Sequence, residues 1–247
     1  MEIEANPLNS LVPLNHHNHL RTSFDLSVYF IAGPENLKPD DTFQNLLSKA
    51  IAGGITFFQL RSKTASAREI MELGRIAAEE IKKAGKSEQI ALVIDDRLDI
   101  ALALRAEGVK IDGVHLGQSD IPVEFAREML GENAIVGLSA RSEELFDYVK
   151  NFKPGIVDYL GAGPLHETQT KPDCGLVNGV VIERTFDEIQ KLKTLSPLPI
   201  VVGGGVKAED LPRLKATGID GFFVVSAIAS SDDPFNATET LVNIWKN

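Results

Sequence analysis

The sequence predicts a (β/α)8 barrel over residues 27–247, preceded by an N-terminal extension at residues 1–26. Three observations carry that expectation. Eight short β-branched or aromatic runs alternate with eight longer amphipathic ones. The short runs are almost continuously apolar, as strands are when both faces of a parallel sheet are covered. Eight such units in about 220 residues is close to the usual size of this architecture. An open doubly wound sheet is the alternative, but it does not require eight even units, and no GxGxxG follows the first strand.

In chain order, "SVYFIA" precedes an amphipathic Phe43–Ala52, "ITFFQL" precedes Ala67–Lys83, and "IALVID" precedes Leu98–Ala106. Each short run is rich in residues that suit a pleated, buried surface, and each longer one repeats its apolar positions at helical spacing. "GVHL" is followed by Pro122–Leu130, "AIVGLS" by Glu143–Asn151, and "VDYLGAG" by Val181–Lys193. "LPIVVGGG" with Ala208–Ala216 and "IDGFFVVSA" with Pro234–Lys246 complete the series. Residues 1–26 show no sustained period. Their His16, His17 and His19 read as exposed polar residues rather than a metal site. Leu11, Val12 and Leu14 of the same segment are expected to dock on the barrel.

With 43% hydrophobic and 24% charged residues the composition is that of an ordinary globular protein. No apolar run is long enough to span a membrane, and Glu2 and Glu4 do not fit a secretory signal. One cysteine, Cys174, rules out an internal disulfide and fits a reducing compartment, so a cytoplasmic location is expected. A net charge of -10 argues against non-specific nucleic-acid or anionic-membrane binding and leaves a homo-oligomer open. An anionic small molecule would therefore have to meet a local cluster of basic groups and backbone dipoles.

In a barrel of this type the active site lies at the C-terminal ends of the strands, and the polar residues fall there. Arg61 and Lys63 follow the second strand with one residue between them, so they project to the same side and suit a phosphate or diphosphate. A solvated helix start is the plainer reading of "RSK". Asp95, Asp96 and Asp120 bring three carboxylates from two neighbouring loops, with no adjacent His or Cys ligand, a set that suits Mg²⁺. Asp120 equally suits a helix N-cap. The run Gly203, Gly204, Gly205 and the pair Val225, Ser226 end the last two strands, the usual phosphate site of such barrels. Tight turns alone would also explain the glycines. Between these two sets lies "GAGPLHETQTKPDCG", Gly161–Gly175, with Thr168, Thr170 and Lys171; it has no P-loop core and reads as an anion loop or as a solvated turn.

The segments "FFQLRSK", "VIDDRLDIAL", "GVHLGQSD", "VDYLGAGPLHETQTK", "VVGGGV" and "FFVVSAI" resemble, in order, the signatures of the thiamine-phosphate synthase family. The resemblance covers about residues 27–235, and it implies a (β/α)8 barrel. The activity it implies is coupling of hydroxymethylpyrimidine diphosphate to thiazole phosphate with release of pyrophosphate. By that match Gln59, Leu60, Arg61, Ser62, Lys63, Asp95, Ser139 and Lys171 would hold the pyrimidine diphosphate. Thr168, Gln169, Thr170, Gly203, Gly204, Gly205, Val225 and Ser226 would hold the thiazole phosphate, with Mg²⁺ on Asp96 and Asp120. Arg61, Lys63 and Lys171 would be the catalytic cations. Three positions depart from the family pattern. Asp95 stands where asparagine is usual, Arg141 where histidine is frequent, and "YFIAGPENL" replaces a strand ending in Thr-Asp. The rivals are a thiazole tautomerase, for which the missing histidine is a contrary sign, and a non-catalytic binder, for which the metal and leaving-group residues would be superfluous. A barrel isomerase or aldolase would need a general base or a Schiff-base lysine.

Overall fold

The computed structural model describes residues 20–140, 143–152, 155–168 and 175–247, and the eight expected strands close into one parallel barrel. The first half runs β1 (Val28–Ala32), α1 (Phe43–Gly53), β2 (Phe57–Leu60), α2 (Ala67–Lys83), β3 (Ala91–Asp95), α3 (Leu98–Ala106), β4 (Gly113–Leu116) and α4 (Val123–Leu130). The second half runs β5 (Ile135–Ser139), α5 (Leu145–Lys150), β6 (Tyr159–Ala162), a hairpin of β7 (Leu176–Val177) and β8 (Val180–Val181), α6 (Phe186–Leu195), β9 (Ile200–Val202), α7 (Leu211–Ala216), β10 (Gly221–Val224), α8 (Ser226–Ala229) and α9 (Pro234–Lys246). Around the barrel the order is β1, β2, β3, β4, β5, β6, β9, β10 and back to β1.

Strand alternation divides the core into two layers. Tyr29, Phe57, Val93, Ile135, Tyr159 and Val201 fill the barrel. Their neighbours Phe30, Phe58, Leu92, Val136, Leu160 and Val202 pack outward against the helices. Apolar residues at both parities are what make the strands read as continuous runs. Helix starts are set locally: Thr42 accepts from the Asn45 N–H, and Ser66 with Glu69 and Thr185 with Glu188 form capping boxes.

A repeated device closes the bottom rim. The residue before every second barrel strand accepts a hydrogen bond from the backbone of the strand ahead of it. Thr56 accepts from Val28 N at 3.0 Å, Asp112 from Leu92 N at 2.7 Å, Asp158 from Val136 N at 2.8 Å and Asp220 from Ile200 N at 2.7 Å. Each aspartate is balanced by a cation, Lys110, Arg127 and Lys193 respectively. Arg21 and Phe24 pack against this floor. Arg21 Nε bonds Asp158 at 2.9 Å, and the Phe24 ring packs on Phe57 and Tyr159 with centroids 6.0 Å away. Leu11, Val12 and Leu14 lie outside the described residues.

Two elements correct the sequence reading. The sixth helix starts at Phe186, not Val181, because "VNGV" turns as a hairpin: Asn178 and Gly179 both take positive φ, as a two-residue hairpin turn requires. The last strand stops at Val224, and Ser226 opens the short helix α8 instead of continuing the strand. Among the described residues no helix is long and apolar enough to cross a membrane.

Candidate active site

A cavity of about 660 Å³ opens at the C-terminal end of the strands. Strand register brings its polar side chains to one level: Gln59 pairs with Ile31 and Val93, Asp95 with His115, and Ser139 with Gly161.

One wall is charged. Beyond β2 the alternation continues, so Arg61 and Lys63 turn inward. Arg61 Nε lies 3.2 Å from the buried Asp95 carboxylate, and Lys63 Nζ lies 3.9 Å from it while also pairing with Asp96. Burial works against the Lys63 charge, but Asp96 and Asp95 outweigh it and raise its pKa. Asp96 has φ 57, a left-handed conformation that aspartate tolerates better than most residues. Asp120 accepts from Gly117 N at 2.6 Å. Burial, and then a hydrogen bond with Asp96, push the Asp120 carboxyl above its ordinary range. Two carboxylates from different loops thus converge closely enough to share a proton, and such a pair could contribute oxygens to a hard divalent cation.

The floor is a chain of hydrogen bonds. Gln59 Nε2 donates to the Tyr29 hydroxyl at 2.8 Å, Tyr29 and Tyr159 hydroxyls are 2.9 Å apart, Tyr159 meets His115 Nδ1 at 2.9 Å, and His115 Nε2 meets Ser139 Oγ at 3.1 Å. With the Gln59 amide as donor, one direction gives each buried hydroxyl an acceptor. Tyr29 already accepts from Gln59, so its proton goes to Tyr159. Tyr159 in turn donates to Nδ1, so the His115 ring carries its proton on Nε2 and gives it to Ser139. The Ser139 hydroxyl is left to donate into the cavity. Burial raises the pKa of both phenols, so both keep their protons.

The third wall is backbone. Gly204 and Gly205 take φ 81 and 68, and a Cβ at either would lie 2.6 Å from Pro164 Cβ or 2.8 Å from His166 Cβ, so only glycine fits. The Gly204 carbonyl is tied to the facing loop, with Leu165 N and His166 N bonding it at 3.1 and 3.0 Å. Among the described residues the N–H groups of Gly204, Gly205 and Ser226 have no acceptor, and all three residues line the cavity. Exposed amides beside small residues are suited to a phosphate.

The sequence profile of the thiamine monophosphate synthase family matches residues 28–228. The thiamine-phosphate synthase of Desulfitobacterium hafniense is 37% identical over 223 residues, covering 90% of this chain and 99% of that one. The chain belongs to the thiamine monophosphate synthase family. Another thiamine-phosphate synthase, from Campylobacter jejuni, is 37% identical over 222 residues, 90% of this chain and 95% of that one. Among solved structures, thiamine phosphate pyrophosphorylase from Pyrococcus furiosus superposes with a TM-score of 0.73 at 29% identity, covering 92% of this chain and 98% of that one. A 3-hexulose-6-phosphate synthase, at 14% identity and a TM-score of 0.62, shares the barrel fold.

Of the residues that the family resemblance singles out, Gln59, Arg61, Lys63, Asp95, Asp96, Asp120, Ser139, Thr168, Gly204, Gly205, Val225 and Ser226 line the one cavity. Three do not. Leu60 has outward parity and is buried beneath the helices. Ser62 turns away to Glu35 Oε1 at 2.6 Å. Gly203 is closed off, its N–H on Ala162 O at 3.1 Å and its carbonyl on Leu165 N at 3.0 Å. Gln169, Thr170, Lys171, Arg141 and Cys174 lie outside the described residues. Tyr29, Tyr159 and His115 were assigned no role from the sequence, since two of them sit inside apolar strand runs; their inward parity was the available signal.

Proposed function

We propose that this cavity joins a pyrimidinylmethyl diphosphate to a thiazole phosphate, the thiamine-phosphate synthase reaction of the family, and that its two anion sites hold one substrate each. The observation that supports the pairing most is chemical: Arg61 and Lys63 stand on one wall, and the backbone donors of Gly204, Gly205 and Ser226 stand on another. A cation wall suits a departing diphosphate, whereas fixed amides suit a phosphate that only anchors its substrate.

In the reaction the methylene C–O bond breaks and its electron pair leaves on the diphosphate oxygen. The resulting pyrimidinylmethyl cation is captured by the thiazole nitrogen lone pair, forming the C–N bond of a thiazolium. No protein nucleophile and no proton transfer are required. Arg61 and Lys63 offset the charge that grows on the leaving oxygen, and Ser139 offers it a donor preset by the His115 tautomer. Asp95 holds Arg61 from behind. Lys171, by the family match, would add a third cation. The described cavity lining has two basic side chains, Arg61 and Lys63, and four acidic ones, Asp95, Asp96, Asp120 and Glu143. A diphosphate therefore needs a further positive charge, and the converging carboxylates of Asp96 and Asp120 fit Mg²⁺. When bound, Mg²⁺ would supply Lewis-acid stabilisation of the leaving group.

Steady-state kinetics with both substrates tests the assignment of walls. Arg61→Ala is expected to raise KM for the pyrimidine diphosphate by about tenfold or more, the loss of a charge-assisted contact, with little change for the thiazole phosphate. Gly204→Ala, whose Cβ would lie 2.6 Å from Pro164 Cβ and displace the amide wall, is expected to do the reverse. If both variants moved the same KM, the assignment would be wrong.

A further inference from the structure

The β1–α1 connection does not line the cavity, yet it grips the loop that carries Arg61 and Lys63. Glu35 Oε1 accepts four hydrogen bonds: from Ser62 Oγ at 2.6 Å, Lys63 N at 2.8 Å, Thr64 N at 3.0 Å and Thr64 Oγ1 at 2.8 Å. Alternation explains the division of labour. Arg61 and Lys63 face inward, and Ser62 faces outward to Glu35. The turn that presents Glu35 is itself fixed. Asn36 Oδ1 accepts from Gly33 N at 3.0 Å, Asn36 N donates to Gly33 O at 3.1 Å, and Leu37 N donates to Pro34 O at 3.3 Å. It is also packed hard against its target: a Cβ on Gly33 would lie 1.8 Å from Arg61 O, and Arg61 N bonds Ala32 O at 3.0 Å.

We propose that Glu35 is a positioning residue for diphosphate binding: by anchoring residues 62–64 from outside the cavity, it presets Arg61 and Lys63 on the inside. The proposal rests on the coupling reading above. Partial burial raises the pKa of the Glu35 carboxyl, but hydrogen bonds led by the Ser62 hydroxyl outweigh it and hold it at about 2, so the anchor is an anion at neutral pH. Without it, the loop amides and hydroxyls turn to water and the two cations lose a common frame. The affected step is then capture of the diphosphate, not of the thiazole phosphate, whose wall lies elsewhere.

Glu35→Ala and Glu35→Gln, assayed as full-length proteins with both substrates, test this. Glu35→Ala is expected to raise KM for the pyrimidine diphosphate by roughly tenfold and leave that for the thiazole phosphate within about twofold, since only one site loses its preorganisation. Glu35→Gln keeps an acceptor oxygen without the charge and should fall between. Amide exchange at Lys63 and Thr64 should quicken in Glu35→Ala. Equal rises in both KM values with a lower Tm would make Glu35 a merely structural residue and overturn the proposal. So would faster exchange with unchanged kinetics. Calorimetry with inorganic pyrophosphate and Mg²⁺ reads the same loop without turnover, and unchanged affinity in Glu35→Ala would also overturn it. A wild-type chain that binds pyrophosphate more tightly than Glu35→Ala but forms no product would refute the coupling reading and leave the role of Glu35 supported.

Discussion

Tyr159→Phe isolates the hydrogen-bond chain under the cavity, because it removes one buried oxygen and keeps the ring. That oxygen bonds Tyr29 at 2.9 Å and His115 Nδ1 at 2.9 Å. Both tyrosines are fully buried, so no water replaces it. With protons donated from Gln59 towards Ser139, Tyr29 loses its acceptor among the described residues, and His115 Nδ1 loses its donor. Each orphaned buried group costs about 1–3 kcal/mol, and the half-buried His115 falls at the low end, so the sum is about 2–4 kcal/mol. For a chain of this size that lowers Tm by about 4–15 °C. Thermal unfolding followed by circular dichroism measures it, alongside Tyr29→Phe and the double variant. The double variant removes both ends of the Tyr29–Tyr159 bond and should cost about 1 kcal/mol less than the two single changes summed. A Tyr159→Phe cost under about 0.5 kcal/mol, or strict additivity, would show that the chain is not a coupled network.

Three further outcomes follow from the charged wall and from the Glu35 anchor behind it. Asp120 has a raised folded pKa, so the native state holds its proton more tightly than the unfolded chain, and stability falls as pH rises from the ordinary carboxyl range through that raised value. Without divalent cations, Asp120→Asn should therefore raise Tm at pH 7 by about 2 °C, a screened, partly exposed effect, while destroying activity. Asp95→Asn weakens the contact 3.2 Å away that holds Arg61 from behind, so KM for the pyrimidine diphosphate should rise by a few-fold, and an unchanged or lower KM would refute that role. Glu35 has the opposite sign. Its folded pKa of about 2 makes its stabilisation complete above about pH 4.5 and lost as pH falls towards 2, so the urea midpoint of Glu35→Gln should vary less than wild type across that window.

Most of the architecture was legible because strand and helix periods differ and both strand faces are apolar. Six of the eight sequence-derived helices coincide with the structure to within two residues at both termini; the exceptions are the sixth and seventh. The sixth differs because "NG" turns the chain as a hairpin and the Thr185–Glu188 box sets the helix start beyond the apolar "VVI". The seventh begins as a turn at Ala208–Asp210 and becomes α-helical at Leu211. The bottom-rim repeat was harder to see. Thr56, Asp112, Asp158 and Asp220 each follow an Ile or Val, and "IDG" occurs twice, at Ile111–Gly113 and Ile219–Gly221, but so short a signal merges with the strand start. In the cavity, the charged strand ends stood out by type. Leu60 and Ser62 were included because they lie between Gln59 and Lys63, although parity turns both away. Tyr29 and Tyr159 were hidden because a tyrosine inside an apolar run reads as core until its hydroxyl has a named partner.

Pyrophosphate release by the purified protein tests the central claim most directly, with each substrate alone, with both together, and with and without Mg²⁺. The account requires release only when both substrates and Mg²⁺ are present. It also requires a loss of about a hundredfold or more in Asp96→Ala, the scale of a lost Lewis-acid contact. Release that ignores the second substrate, or that persists undiminished in Asp96→Ala, would contradict it.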